Sequence, residues 1–325
     1  MVSFILLILI YTGIYALMAM GQNVITGYVG LLSLCQAGFF AIGSYVTAIL
    51  TTSAGWNFWL TVPLAGLIAA LFGVLIGLPT LRLKGDYLAI ATLGFGEIVR
   101  NILNNWDSLT NGPMGIQKIP MVSFFGMTIS PYRKWGFLIM VWMFVAVGYL
   151  LFKRLAKSRM GRALEAIRED EIAASSMGIN TTKYKVWAFA LGAFSAGIAG
   201  SLQAVFTLSV TPGTFTFMVS IMVLCMVVLG GMGNFKAVVL GAFIIQFISY
   251  FPQLVGLSNV IPPQFKQVLF GLILVVMMIW RPQGILGREV RGHFGDGGKA
   301  SVLQKGWKGL AERLHGKPAK KGGGR

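Results

Sequence analysis

Charged residues are scarce in this sequence of 325 residues, and those of negative sign are the scarcest. Only 11% of the residues are charged, with 10 Asp and Glu against 27 Lys and Arg, whereas 56% are hydrophobic. A soluble domain carries about 25% charged residues, so this chain lacks the polar surface to cover a globule. The net charge of +17 would suit a nucleic-acid-binding protein, but no soluble basic domain is this apolar. The composition excludes disordered and soluble classes and indicates a membrane protein.

Cysteine and histidine are nearly absent, which excludes several kinds of catalytic and metal site. Cys35 and Cys225 lie in apolar runs and are expected to be small buried side chains. His293 and His315 both lie in the C-terminal tail, so the apolar part offers no imidazole to a metal, a haem or a catalytic triad. A glycine-rich run at 292–301 fails the phosphate-loop pattern G-x4-G-K-S/T. We therefore predict no catalytic residue, no metal and no cofactor, and any ATP used would be hydrolysed by another chain.

Long apolar runs are abundant and predict an all-α fold, a polytopic membrane helix bundle. Roughly 20 helical residues cross about 30 Å of hydrocarbon, and several runs reach or approach that length. We predict about nine spans, with eight to ten compatible with the run lengths. The first run lacks the basic start and cleavage site of a signal peptide, so we expect it to remain as a spanning helix. The nine runs are 3–20, 31–50, 59–78, 87–104, 136–152, 186–208, 217–230, 237–252 and 267–280.

Basic residues predict the orientation of these spans. The loop 153–185 carries a net charge of +4 and the tail 281–325 one of +8, together twelve of the seventeen net positive charges. Because loops rich in Lys and Arg stay inside the cell, we predict an outside N-terminus and a cytoplasmic C-terminus. The chain then divides into a transmembrane domain at 1–280 and a basic cytoplasmic tail at 281–325. Within the tail, an apolar stripe at 300–315 predicts a helix that lies on the inner lipid leaflet.

Polar side chains in and beside the first two spans are candidates for function. Gln22 and Asn23 lie just after the first run, and Gln36 lies inside the second. Polar groups surrounded by hydrocarbon must face the protein interior or a water path. Hydrogen bonding between helices and the lining of a translocation route are both open interpretations.

The fourth span holds Glu97, the acid placed most deeply in any predicted span, with Arg100 three residues later. At this spacing the two side chains can form an ion pair on one helix face. The pair is either structural or involved in gating and solute contact, and Tyr87 of the same span is a further candidate for the route. Neighbouring spans contain no second carboxylate, which argues against a proton-relay chain.

A long loop at 105–135 is predicted to lie outside. Glycine and proline within 109–116 favour tight turns there rather than another span. Loops of about 30 residues are often functional. Contact with an external partner and packing over the helix ends are the two alternatives.

The predicted cytoplasmic loop contains the most informative segment, 160–180. Gly178 suits a helix C-cap, and Asn180 or Thr181 suits the N-cap of the next span. A short helix between two spans can dock into a groove of a soluble partner, and a solvated or lipid-skimming loop is the alternative. The helix would carry an apolar stripe of Met160, Leu164 and Ile167.

Taken together, these segments resemble the LivM-type permeases of branched-chain amino acid ABC transporters over nearly the whole chain. The resemblance implies a non-enzymatic permease subunit for leucine, isoleucine and valine in a bacterial inner membrane. It implies a second, related permease, two cytoplasmic ATPases and a periplasmic solute-binding protein as partners, besides membrane lipid, and no nucleic acid. The matching segments are Leu32–Tyr45, Gly85–Asn101, Thr110–Ile116, Gly161–Asn180, Gly230–Gly241 and Trp280–Leu286.

The resemblance also implies that the cytoplasmic loop is the segment that couples the permease to an ATPase. ABC importer permeases often carry an E-A-A-x3-G pattern there, whose A-A-x3-G spacing this chain keeps. Ile172 occupies the acidic position, and Glu171 comes one residue early. The implied coupling residues are Glu165, Ala166, Arg168, Glu171, Ala173, Ala174 and Gly178.

Other functions stay open at this point. Relatives of this family that carry urea, short amides or sugars are not distinguished by the spans. An ion-coupled secondary transporter or channel is the alternative from another class, although the lack of paired intramembrane carboxylates argues against it. A structural or receptor role is a third alternative.

Overall fold

A computed structural model describes residues 2–80, 83, 85–124, 127–129, 134–254, 268 and 271–272. The tail at 281–325, with the predicted helix at 300–315, and nearly all of the ninth run at 267–280 lie outside the described residues. The helices are α1 (Val2–Asn23), α2 (Gln36–Thr52), α3 (Phe58–Thr80), α4 (Asp86–Asn105), α5 (Asp107–Thr110), α6 (Lys134–Lys157), α7 (Arg159–Glu169), α8 (Glu171–Ser176), α9 (Thr181–Thr207), α10 (Phe217–Gly230) and α11 (Phe235–Leu254).

Three helical turns and four short strands complete the described elements. A π-helical turn (Val24–Tyr28) continues α1, and 3₁₀ turns occupy Gly112–Met114 and Pro212–Thr214. The strands are β1 (Ile116–Gln117), β2 (Val122–Phe124), β3 (Met127–Ile129) and β4 (Ser209–Val210).

The first eight predicted runs all coincide with long helices of the described chain, so the all-α helix bundle is confirmed. The second run is wrong at its start, because α2 begins at Gln36 and residues 31–35 are not helical. The total of nine spans and the sides on which the termini lie stay predictions. Within the described ranges, five segments are long and apolar enough to cross a membrane: Phe4–Tyr28, Phe58–Pro79, Lys134–Lys157, Thr181–Thr207 and Pro212–Gly230.

Helix α9 is buried along most of its length, with α1, α2 and α3 packed around it. Small residues make this packing close: a Cβ added to Gly43 of α2 would lie 2.2 Å from the carbonyl oxygen of Gly197. On the other side, a Cβ at Gly73 of α3 would lie 2.7 Å from the Cβ of Ala193. Lipid tails are as apolar as leucine, so helices in a membrane associate through such close contacts rather than by the hydrophobic effect.

Large apolar side chains cover the outer sides of α3 and α6, where they suit contact with lipid or with another subunit. Strongly exposed examples are Leu60, Leu67, Leu71, Leu75, Trp135, Ile139, Leu150 and Leu151. Cys35 and Cys225 are both buried, as expected.

The loop at 105–135 folds into α5, a 3₁₀ turn and short strands, so the prediction of tight turns is confirmed. Asn111 adopts a left-handed conformation with φ of 59° beside that turn. Strand β1 pairs antiparallel with β4, Ile116 opposite Val210, and β2 pairs with β3 as a hairpin. Because β4 follows α9 directly, the first part of the loop packs over the connection between α9 and α10. Contact with an external partner stays a prediction.

Gly43→Ala is expected to lower the thermal unfolding midpoint of the detergent-solubilised chain. Its new methyl group would force α2 away from α9, and overpacking of this kind costs about 1–3 kcal/mol. Helix propensity alone favours Ala over Gly by about 1 kcal/mol, so a lower midpoint would show that the close approach dominates. Gly94→Ala is the matched control, since a Cβ at that position of α4 meets nothing within 4 Å. If the unfolding midpoint rose equally in Gly43→Ala and Gly94→Ala, the close approach of α2 and α9 would not limit the side chain at position 43.

Candidate functional site

The segment between α6 and α9 forms two short helices, α7 and α8, rather than the single helix that its sequence predicts. Asp170 breaks them apart with an extended backbone, φ −154° and ψ 112°. Its carboxylate oxygen Oδ1 accepts hydrogen bonds from the backbone N–H groups of Ile172 at 2.8 Å and Ala173 at 3.0 Å. An aspartate that caps a helix start stabilises it, so the chain begins a second helix here.

The predicted apolar stripe of α7 is confirmed. Leu164 and Ile167 are fully buried, and Met160 packs against the same core. Ala166 and Glu165, between them in sequence, are half-buried. Through this face α7 is packed against the helix bundle, so the segment is an ordered helix rather than a fully solvated loop.

Both predicted caps at the end of the segment are confirmed. Gly178 has φ of +82°, a left-handed conformation that suits glycine just after a helix. The side-chain oxygen of Asn180 accepts the backbone N–H of Lys183 at 3.0 Å, which makes Asn180 the N-cap of α9 and leaves Thr181 as its first residue.

Helix α8 presents apolar side chains outward. Ile172 is 74% exposed and Met177, which follows the helix, is 84% exposed. Ala174 is buried against the bundle, whereas Ala173 is exposed. Large apolar groups beside polar neighbours mark surfaces where another protein docks.

Glu171 points back toward the bundle and forms an ion pair with Lys185 of α9. Lys185 is only 5% exposed, so it is a charge that needs a partner. The pair ties α8 to the N-terminal end of α9. It also gives Glu171, one residue away from the expected acidic position, a structural role that the sequence pattern did not suggest.

Arg168 also points toward the bundle. Its guanidinium nitrogen Nη1 donates a hydrogen bond to the carbonyl oxygen of Gly27, in the π-helical turn at the end of α1. The resemblance grouped Arg168 with residues that face an ATPase, but the structure places its side chain against the membrane-spanning helices.

Gln22 and Asn23, at the end of α1, both make hydrogen bonds to non-helical parts of the chain. The Nε2 of Gln22 donates to the Oγ1 of Thr26 at 2.9 Å and to the carbonyl oxygen of Ser33 at 2.7 Å. The Oδ1 of Asn23 accepts the backbone N–H of Gly233, between α10 and α11, at 2.9 Å. Hydrogen bonding within the protein therefore accounts for the Nε2 of Gln22 and the Oδ1 of Asn23.

Gln36 differs from them. Its side chain is buried, and neither its Oε1 nor its Nε2 has a hydrogen-bond partner among the described residues. The Oε1 of Gln22 and the Nδ2 of Asn23 are likewise buried and unpartnered within the described part of the chain. Buried amide groups without partners are costly and call for another binding partner.

Hydroxyl groups from two other helices hold the end of the non-helical segment Val29–Cys35 and the first turn of α2 that follows it. The backbone N–H of Leu34 donates to the Oγ1 of Thr92 on α4, and that of Ala37 donates to the Oγ of Ser220 on α10, both at 3.0 Å. Sequence reasoning missed both hydroxyls, because a single Thr or Ser in an apolar helix gives no signal of its own.

The remaining candidates lie on α4. Arg100 donates from Nη2 and Nε to the Oε2 of Glu97, each at 2.9 Å, which confirms the predicted ion pair. The two side chains are 35% and 31% exposed, respectively. Tyr87 is 74% exposed, and Ile98 is also exposed. These side chains of α4 lie on a surface that the described chain leaves open. They differ in this from the amides of Gln22, Asn23 and Gln36, which are buried.

The described ranges bring no three His, Cys, Asp or Glu side chains close enough together to hold a metal ion. The structure places together an outward-facing helix, α8, and a helix, α7, whose Arg168 is bonded to Gly27 shortly before the segment Val29–Cys35.

Comparison with known proteins identifies relatives along most of the chain. Residues 4–278 match the family model for the permease component of branched-chain amino acid transport systems. The high-affinity branched-chain amino acid transport system permease protein LivM of Salmonella typhimurium is 42% identical over 296 residues, which cover 85% of this chain and 68% of that protein. The corresponding protein LivH of the same organism is 26% identical over 288 residues, covering 84% and 91%.

A more distant relative is the probable branched-chain amino acid transport permease protein LivM of Methanocaldococcus jannaschii, 26% identical over 326 residues that cover 88% of this chain and 94% of that protein. No solved structure matches the chain. Since the family model spans most of the sequence and the Salmonella relative shares 42% of its residues, this chain belongs to the family of permease components of branched-chain amino acid transport systems.

Proposed function

We propose that this chain is the membrane-spanning permease subunit of an ATP-driven importer of leucine, isoleucine and valine. The proposal is supported chiefly by the α7–α8 segment, which packs against the helix bundle on one side and exposes Ile172 and Met177 on the other. That surface suits docking of a separate ATPase, whose closure would move the segment and change the access of the solute path. The names of the relatives support the solute class.

The proposed assembly contains a second, related permease, two cytoplasmic ATPases and a periplasmic solute-binding protein. The match of this chain to relatives named LivM and to relatives named LivH supports a pair of homologous permeases. The part-exposed ion pair of Glu97 and Arg100 supports a place for α4 beside that partner, because charged groups avoid lipid and face protein or a water path.

In this proposal the chain has nine spans in a bacterial inner membrane, with its N-terminus outside and its tail in the cytoplasm. The loop 153–185 and the tail 281–325, with their excess of Lys and Arg, support that orientation. The segment 300–315 would hold the tail on anionic lipid of the inner leaflet.

The proposed solute route passes between the buried amides of Gln22, Asn23 and Gln36 and the open face of α4 with Tyr87, Glu97 and Arg100. Buried amide atoms without partners support it, since polar groups of a passing amino acid can pair with them. Specificity would reside largely in the solute-binding protein, so the route need not bind the solute tightly.

Cells that carry the whole transport system are expected to lose uptake of labelled leucine when this chain is removed and to regain it when the chain is restored. Isoleucine and valine should compete, whereas urea and ribose should not. Depletion of ATP should stop uptake, and collapse of ion gradients at constant ATP should not. Uptake that follows the ion gradient, or competition by urea or ribose, would favour one of the alternative transporters.

Ile172→Glu and Met177→Glu are expected to weaken capture of the ATPase by the tagged permease. Loss of a central apolar anchor costs about 2 kcal/mol or more, which corresponds to a loss of about thirtyfold or more in affinity. Met114→Glu is the matched control, because Met114 is also a highly exposed apolar residue but lies in the loop between α4 and α6. Equal capture by all variants would show that α8 is not the docking surface.

The paired variant Glu97→Gln/Arg100→Gln tests whether the ion pair has a role beyond structure. It removes both charges together, so no unpaired charge remains to destabilise the helix. If α4 faces the route, this variant should accumulate in the membrane normally but take up leucine more slowly. Uptake at the wild-type rate would mean that the pair is structural only.

A further inference from the structure

Arg168 joins three segments that are far apart in sequence. Its Nη1 donates to the carbonyl oxygen of Gly27, and the same nitrogen lies 3.7 Å from the position of a Cβ built on Gly233. The Cγ of Arg168 lies 3.0 Å from the position of a Cβ on Gly30, which has φ of +79°. The arginine therefore lies along the turn at the end of α1 and beside the turn between α10 and α11.

The two turns are themselves bonded to each other. The backbone N–H of Gly233 donates to the Oδ1 of Asn23, and a Cβ on Gly27 would lie 2.1 Å from that oxygen and 2.6 Å from the nitrogen of Gly233. The space between the turns therefore admits no side chain at Gly27. Because the packing is this close, a displacement of Gly27 would also move Asn23 and Gly233.

The segment that starts at Gly27 leads directly to the buried amide of Gln36. After Tyr28 the chain runs through the non-helical Val29–Cys35, which is held by a few hydrogen bonds rather than by a helix ladder. The backbone N–H of Leu31 donates to the carbonyl oxygen of Ile25, that of Leu34 donates to the Oγ1 of Thr92, and the carbonyl oxygen of Ser33 accepts from the Nε2 of Gln22. Such a segment can change its path at lower cost than a helix, because few backbone hydrogen bonds must be exchanged. Arg168 contacts this segment directly, since its Cγ lies beside Gly30.

Arg168 remains accessible at its other side, at the end of α7 and next to α8. An arginine that merely docked on an ATPase would point away from the bundle, and one that merely capped α7 would bond to a carbonyl of α7. This side chain does neither, since its partner is the carbonyl oxygen of Gly27 in the π-helical turn after α1.

We infer that Arg168 is a positioning residue that transmits movement of α7 and α8 to the segment 24–35, so that coupling of ATP hydrolysis to solute movement depends on its hydrogen bond to Gly27. The inference rests on the proposed function. It separates two roles within the α7–α8 segment. The exposed side chains of α8 bind the ATPase, and Arg168 transmits the movement of α7 and α8 to the segment 24–35.

The test uses the complete transporter, purified and reconstituted in liposomes with the solute-binding protein and leucine. The variants are Arg168→Gln, which cannot replace the charged hydrogen bond, and Arg168→Lys, which keeps the charge and one possible donor. Arg162→Gln is the matched control, because Arg162 lies on the same helix and donates to the carbonyl oxygen of Lys157 within its own segment. ATPase content, ATP hydrolysis and leucine uptake are measured on the same vesicles.

Arg168→Gln is expected to keep the ATPase bound and hydrolysing ATP while leucine uptake per ATP falls at least about tenfold, the scale set by one lost charged hydrogen bond. Arg168→Lys should show a smaller loss, and Arg162→Gln none. Unchanged uptake per ATP in Arg168→Gln would overturn the inference, as would loss of the ATPase from that variant, which would indicate docking. Reduced yield with an unchanged ratio would indicate a purely structural bond and would overturn it too.

The wild-type complex separates this inference from the proposed function. If wild-type vesicles contain no ATPase or take up no leucine, the proposed function fails before any variant is compared. If wild-type vesicles couple normally and Arg168→Gln does as well, only the role of Arg168 fails.

Discussion

Peptide groups within a lipid bilayer must find their hydrogen-bond partners inside the protein, and this constraint explains both the long helices and the places where they stop. Just before α2 and in its first turn, the hydroxyls of Thr92 and Ser220 accept hydrogen bonds from the backbone N–H groups of Leu34 and Ala37. At the end of α1, where the last carbonyls lack helical partners, the guanidinium of Arg168 bonds to Gly27. The departures from helix are thus concentrated where other parts of the chain can bond to them.

Local patterns predicted those features that depend on neighbouring residues. The stripe of Leu164 and Ile167 follows from helical periodicity, and the caps at Gly178 and Asn180 follow from the conformations these residues favour. The ion pair of Glu97 and Arg100 is set by their spacing on one helix.

Features that depend on residues far away in the sequence could not be predicted from local patterns. The pairing of Ile116 with Val210 joins strands of two residues each, too short to carry a pattern. The start of α2 at Gln36 is fixed by a serine 183 residues away from Ala37. Asp170 could have been an exposed charge of a longer helix, and only the backbone break shows that it caps α8. The partner of Arg168 is 141 residues away, so composition gave no reason to separate it from the other charges of its loop.

The exposed ion pair of Glu97 and Arg100 on α4 affects the stability of the subunit before it assembles with a partner. A newly made chain without its proposed partner would hold the side chains of Glu97 and Arg100 against acyl chains, which solvate ions poorly. The free subunit would then be the less stable form, and membrane proteases that sample exposed polar helices would remove it first. Its steady-state abundance would follow the supply of the second permease, so that the two accumulate in equal numbers without matched rates of synthesis.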